Sequence, residues 1–170
     1  MISNIWDQKP EMKIGVLSDT HLIRVTPGFK DLLESHFKDV DLILHAGDMV
    51  GLPVYDFLKS RPVEAVQGNM DQDNLRGLLP GKKILTLGKV KIGLIHGWGS
   101  GHGLEGRLLP EFDSIDCLVY GHSHTPANHR PEGVLLFNPG SASGIGFFRK
   151  PTIGFLHIDD TGIRGEIVEI

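Results

Sequence analysis

A single cysteine, Cys117, in 170 residues rules out a disulfide framework, and its place in the apolar run DCLVYG makes it a buried core thiol suited to a reducing cytoplasm. No window approaches the roughly 18 apolar residues that a membrane span requires. The opening MISNIWDQKPEM lacks the basic-then-apolar order of a signal peptide, so a cytoplasmic protein without a membrane partner is expected. Clusters of basic residues are missing as well. With 17 Lys and Arg scattered against 21 Asp and Glu, the chain lacks the electrostatic footprint of a dedicated nucleic-acid binder. The 40% of hydrophobic residues suffices for one domain's core without metals or disulfides as staples. Residues 1–11 read as a polar extension, with Met12 as an alternative start, ahead of a single domain over 12–170.

What the chain has in excess is histidine, nine of them, and glycine, twenty-two. Short β-rich runs alternate with helical spacing: a strand from Met12 to Ser18, a helix over Phe29–Phe37, a strand within Asp41–Asp48, a helix over Pro53–Ser60 and a strand over Val63–Gln67. This alternation predicts βαβ units and a parallel sheet. KKILTL and KVKIGLIHG then form a hairpin about Gly88-Lys89, which makes the sheet architecture mixed. A helix over Leu104–Phe112 and a strand over Asp116–Tyr120 follow. Strands near Val134–Phe137, Thr152–Ile158 and Ile163–Val168 read as an antiparallel meander.

Five strand-like runs end in residues of one chemical kind: Asp19-Thr20-His21, Gly47-Asp48, Gly68-Asn69, His96-Gly97 and Gly121-His122-Ser123-His124. Loops beyond the carboxyl ends of parallel strands form the ligand crevice of open α/β sheets, so these ends converge although they are far apart in sequence. Carboxylate, imidazole and amide oxygen suit borderline and hard divalent metals, and no thiolate steers the set toward a structural zinc site. In Asp19-x-His21 and His122-x-His124, two ligand types flank one residue on a turn. The adjoining glycines leave room for close backbone approach. Each fragment alone is weak; the five together, in order, carry the metal reading.

The ordered set DTH, GD, GN, HG and GHSH resembles the signature of the calcineurin-like metallophosphoesterases, and the small size resembles their single-domain YfcE-type phosphodiesterases. The resemblance implies a four-layer αββα sandwich with two mixed β-sheets and a two-metal site at one edge. It assigns Asp19, His21 and His124 to one ion, Asn69, His96 and His122 to the other, and Asp48 to both. Manganese is the first expectation; nickel, iron, cobalt or zinc suit the same donors. The implied activity is hydrolysis of a small phosphodiester by in-line attack of a metal-bridging hydroxide, with Asp48, Asn69 and His96 at the chemistry. A phosphomonoesterase is one alternative. A non-catalytic scaffold, like the related small retromer subunit, is the other.

The sequence also departs from the pattern. Larger members follow Gly-Asn with His-Glu, whereas Met70-Asp71 stands here; Met70 cannot donate a proton, and Asp71 reads as an orienter of a ligand or loop. Trp98 occupies the place where many small relatives carry a second His, as a stacking surface for an aromatic or nucleobase leaving group or as a partly buried lid residue. His102 in HGWGSGHG reads as an exposed loop histidine or, more sharply, as a catalytic group that contacts phosphate or protonates the leaving group. Asn138-Pro139-Gly140-Ser141 reads as a turn bracing the site, and His45 as a core histidine. Phe147-Phe148 reads as core or as the contact of a homo-oligomer, and the role of Arg149 is left open.

Overall fold

The structure, a computed structural model, describes residues 9–144 and 150–170. Five strands form each of two mixed sheets, as expected. In the first, β1 (Met12–Leu17), β2 (Leu42–His45) and β3 (Val63–Ala65) run parallel, and β9 (Thr152–Asp159) and β10 (Gly162–Glu169) add antiparallel strands in the order β10-β9-β1-β2-β3. In the second, β4 (Lys82–Leu87) and β5 (Val90–Ile95) make the hairpin about Gly88-Lys89, with Leu87 opposite Val90. There β6 (Cys117–Val119) and β8 (Leu135–Asn138) continue parallel to β5, and β7 (Ala127–His129) closes the edge antiparallel to β8.

Period-two alternation decides which face meets which layer. Met12, Ile14 and Val16 of β1 pack with Ile92, Leu94, Val119 and Phe137 of the second sheet in a core between the sheets. The opposite face of β2 presents Ile43 to helix α1 (Pro27–His36) and helix α2 (Leu52–Leu58), through Phe29, Leu33, Val54 and Leu58. On the outer face of the second sheet, Leu118 and Leu136 meet Leu104 and Leu108 of α4 (Leu104–Leu108). Three apolar clusters between four layers make the αββα sandwich. Helix α1 begins where Thr26 Oγ1 accepts from the Phe29 amide at 3.2 Å and Pro27 fills the first turn. Gly15 in β1 is obligatory, because a Cβ there would lie 2.1 Å from the Phe37 ring.

Several details differ from expectation. The C-terminal strands are not one meander: β8 lies parallel to β6 in the second sheet, while β9 and β10 form a hairpin on the first. Runs buried on both faces look alike whether their neighbour is parallel or antiparallel, so the sequence pattern does not separate the two. A one-turn helix α3 (Asp73–Arg76) occupies the polar stretch after Asn69, and the three-residue edge strand β7 had no pattern of its own. The helix over 104–112 is α-helical only to Leu108 and tightens into a 3-10 turn over Leu109–Glu111, around Pro110. Phe147, Phe148 and Arg149 lie outside the described residues. Among the described residues no helix is long and apolar enough to cross a membrane.

Candidate metal centre

The carboxyl ends of β1, β2 and β3 in one sheet and of β5 and β6 in the other open onto the same edge, and each delivers one polar loop there. The loops after β1 and β2 stay zipped beyond their strands. The Asp19 amide donates to Gly47 O at 3.0 Å and the His21 amide to Asp48 O at 3.1 Å, and a further bridge joins Leu22 to Val50. Five of the eight non-glycine residues with positive φ among the described residues are Asp19, His21, Asp48, His122 and His124. Left-handed backbone costs about 1–3 kcal/mol for such residues and persists where the surroundings impose it, typically at functional sites.

Glycines make the crowding possible. A Cβ on Gly68 would lie 2.2 Å from Asp48 Oδ1, one on Gly121 would lie 1.9 Å from Ser18 Oγ, and one on Gly47 would meet the His96 ring at 2.8 Å. At Gly47 the backbone is also left-handed, φ +91°.

Asp19, Asp48, His96 and His122 share a division of labour: one atom is tied back into the protein and another faces the centre. Asp19 Oδ2 accepts from Ser18 Oγ at 2.5 Å and from the His122 amide at 3.1 Å, while Oδ1 is buried without a hydrogen-bond partner. Asp48 Oδ1 accepts from the Met70 amide at 2.7 Å, and Oδ2 lies 3.3 Å from His96 Nε2 and 3.9 Å from His21 Nε2. His96 Nδ1 faces the Ala46 carbonyl at 2.7 Å, an oxygen that only accepts; Nδ1 therefore carries the hydrogen and Nε2 has its lone pair free in the neutral ring. In His122 the roles reverse. Nε2 donates to Gly99 O at 2.7 Å, which frees Nδ1.

The atoms that face the centre converge. Asn69 Oδ1 stands 3.1 Å from both His96 Nε2 and His122 Nδ1. Asp19 Oδ1 lies 3.1 Å from His124 Nε2, 3.7 Å from His21 Nε2 and 3.9 Å from His96 Nε2, and the His21 and His124 Nε2 atoms are 3.3 Å apart. Asp19, His21 and His124 form one group able to hold an ion; Asp19, Asp48 and His96 form a second. Asp48 Oδ2 faces histidines of both halves, and Asp19 Oδ1 sits nearly as centrally. An acceptor facing two ring nitrogens whose hydrogens are committed elsewhere calls for a cation between them, so the donor set and the orphaned Asp19 oxygen fit divalent metals.

The electrostatics agree. Burial alone would raise the Asp19 carboxyl, but the His124 and His21 imidazoles outweigh it and hold the group well below the usual carboxylate range. Asp48 is likewise lowered, with burial opposing and His96 prevailing. The His96 ring is raised despite burial, because Asp48 and Asp19 stabilise its imidazolium.

His102 is not brought to this centre. It is exposed on the loop after β5, with its amide donating to Ser100 Oγ at 3.2 Å and its carbonyl accepting from Arg107 at 2.9 Å. Asp71 is an orienter: its two oxygens accept from the Gly68 and Val50 amides, each at 2.6 Å, which pins the loops carrying Asn69 and Asp48 together. The Asn138–Ser141 turn braces the site, since Asn138 Nδ2 donates to Gly121 O at 3.0 Å and Ser141 Oγ to Asp19 O at 2.8 Å. His45 is fully buried, with Nε2 3.2 Å from Thr20 Oγ1. Trp98 is 45% exposed. Sequence reasoning passed over Ser18, whose signal was a hydroxyl at the end of an apolar strand directly before a carboxylate. The Ala46 and Gly99 carbonyls, being backbone, leave no signal in residue identity.

Comparison with known proteins gives the same picture. Residues 12–161 match the model of the calcineurin-like phosphoesterase superfamily domain. A protein of Methanocaldococcus jannaschii named a "probable metallophosphoesterase" is 42% identical over 134 residues, 76% of this chain and 68% of its own length. Among solved structures, an archaeal phosphodiesterase superposes with a TM-score of 0.69 at 23% identity, covering 92% of this chain and all of that one. Vacuolar Protein Sorting 29 of Cryptosporidium parvum gives 0.71 at 22%, covering 95% and 99%. At these identities the structures show the shared fold, while the family match extends over most of the sequence and over every loop described above. The chain belongs to the calcineurin-like phosphoesterase superfamily.

Proposed function

We propose that this chain is a divalent-metal-dependent phosphodiesterase. The observation that carries the reading is the convergence of side-chain oxygens and ring nitrogens from Asp19, His21, Asp48, Asn69, His96, His122 and His124, with Asp19 Oδ1 buried and unpaired among them. Asp19, His21 and His124 would hold one ion, Asn69, His96 and His122 the other, and Asp48 both. Such a pair, when bound, polarises phosphoryl oxygens and acidifies water, and manganese is our first choice among the metals these donors accept.

The chain's own residues do the positioning. Ser18 and the Met70 amide orient Asp19 and Asp48, and the Ala46 and Gly99 carbonyls set the tautomers of His96 and His122, so these four acceptors are aimed before any substrate arrives. A diester suits the site better than a monoester. Among the described residues the ion pairs of Asp19 and Asp48 are with histidines only, and no Lys or Arg there pairs with them to help neutralise a second phosphate charge. Met70, 56% exposed beside Asn69, offers no proton to a poor leaving group, which favours esters of acidic alcohols.

The scaffold reading is weaker because every acceptor position is filled. With manganese added, hydrolysis of bis-p-nitrophenyl phosphate is expected to outpace that of p-nitrophenyl phosphate, and a chelator should stop both. Faster monoester turnover would make the protein a monoesterase; no turnover with any of manganese, nickel, cobalt, iron or zinc would leave the scaffold.

A further inference from the structure

Beside Asn69 and His96, away from the His21–His124 side, lies a cleft of about 470 Å3, within the size range of small-ligand sites. Its walls carry Gln67, Arg76, Lys82, Trp98 and Glu111. Lys82 is already neutralised by Glu111, with Nζ 2.8 Å from Oε2 and 2.9 Å from the Glu111 carbonyl. Arg76 is different. It ends the one-turn helix α3, and among the described residues its one side-chain bond is from Nε to Gln67 Oε1 at 3.4 Å. Gln67 is in turn fixed, because its Nε2 donates to Leu79 O at 3.2 Å, which turns the amide oxygen toward the guanidinium. The cleft therefore keeps one cationic group that has no acidic partner among the described residues, in a chain of net charge −4. Trp98, two residues beyond His96, supplies a half-exposed indole to the same cleft.

An aromatic face, an oriented guanidinium and an adjoining phosphoryl site are together the recognition elements of a nucleotide: base stacking, anion pairing and a reacting ester. We infer that this cleft receives the nucleoside arm of a phosphodiester substrate, with the nucleobase against Trp98 and a further phosphate against Arg76, so that the enzyme selects phosphorylated nucleotide diesters. The inference rests on the phosphodiesterase reading for its chemistry, but not for its binding. A purely aryl ester would use Trp98 and leave Arg76 idle; an aliphatic phosphorylated ester would do the reverse.

Two measurements test it. Adenosine 5′-diphosphate titrated into the chelator-treated protein should quench tryptophan emission. The quenching should vanish in Trp98→Phe, which keeps Trp6, and the dissociation constant should rise about tenfold or more in Arg76→Gln. In the manganese-loaded protein, the ratio of kcat/KM for the 5′-phosphorylated dinucleotide pApA to that for ApA should fall about tenfold in Arg76→Gln. A merely structural role would lower both alike and leave the ratio unmoved. In Trp98→Ala the ratio of ApA to glycerophosphoethanolamine, a diester with no ring to stack, should fall by a similar factor, the worth of one base–aromatic stack. The inference is overturned if the diphosphate leaves the emission unchanged, or if both ratios stay within about twofold of the wild-type values. Failure of the parent reading has a different signature: no diester is cleaved, while the diphosphate still binds with its dependence on Arg76.

Discussion

The tightest spot in the centre is the meeting of Gly121, Ser18 and Asp19, and it yields a quantitative prediction. In Gly121→Ala the new methyl would sit 1.9 Å from Ser18 Oγ and 2.8 Å from Asp19 Oδ2. Both residues are fully buried, so the hydroxyl must rotate off Asp19 and break the 2.5 Å hydrogen bond to the carboxylate. A hydrogen bond to a charged group is worth about 1.5–3 kcal/mol, and overpacking adds about 1–3 kcal/mol, so the variant should lose about 4 kcal/mol. Ser18→Ala loses only the bond, about 2 kcal/mol. The double variant has already given up the bond and retains two tight contacts, at 2.8 Å to Asp19 Oδ2 and 3.0 Å to the Ser18 Cβ, so it should fall short of the summed losses by about 2 kcal/mol, the bond that both single variants lose. Urea denaturation of the four proteins in chelator reads this coupling without a contribution from metal. Calorimetric titration with manganese should show each single variant binding about 10- to 100-fold more weakly, as when an outer-shell partner of a ligand is removed. Additivity within about 0.5 kcal/mol would mean that Ser18 and Gly121 do not share the Asp19 oxygen, and the account of how Asp19 is aimed would fall.

Asp48→Asn keeps the acceptor for the Met70 amide but loses the charge facing both histidine groups; hydrolysis should drop by on the order of 10²- to 10⁴-fold with an unchanged far-ultraviolet circular dichroism spectrum, and near-wild-type turnover would remove Asp48 from the centre. Asn69→Ala should weaken one of two metal-binding events in a manganese titration and spare the other, because Asn69 meets His96 and His122 but not His21 or His124; equal weakening of both would contradict the two-site division. His45 predicts acid sensitivity. Burial pushes its ring down from 6.5 to about 3, so between these values the unfolded chain takes a proton that the folded one refuses, and stability present above pH 6.5 is lost as the pH falls. From pH 6.5 to 5 the loss from this residue is about 1.5 kcal/mol, measurable as the difference in pH dependence between wild type and His45→Gln. Parallel stability curves for the two proteins would show that His45 is protonated in the fold.

How much of this was legible in the sequence depends on where the information sits. Ligand identity is written in side chains, and a polar residue after an apolar strand stands out: Asp19, Asp48, Asn69, His96 and His122 could be found because each interrupts a run of core residues, and the sheet edge then gathers them. What aims them is largely backbone. The Ala46 and Gly99 carbonyls set the tautomers of His96 and His122, yet any residue at those positions supplies the same oxygen, so no pattern betrays them. Strand direction is hidden for a related reason. Leu135–Asn138 is buried throughout whichever way its neighbour runs, and only the crossing from β8 in one sheet to β9 in the other decides it. Arg76 shows a third limit. Its charge is one of many on the surface, and it acquires meaning only because a single helical turn after Asn69 swings it back beside Gln67, into the cleft that Trp98 borders from the opposite sheet. Metal-binding chemistry in this fold is therefore readable from residue order, whereas substrate choice depends on short irregular segments whose course is fixed by tertiary contacts.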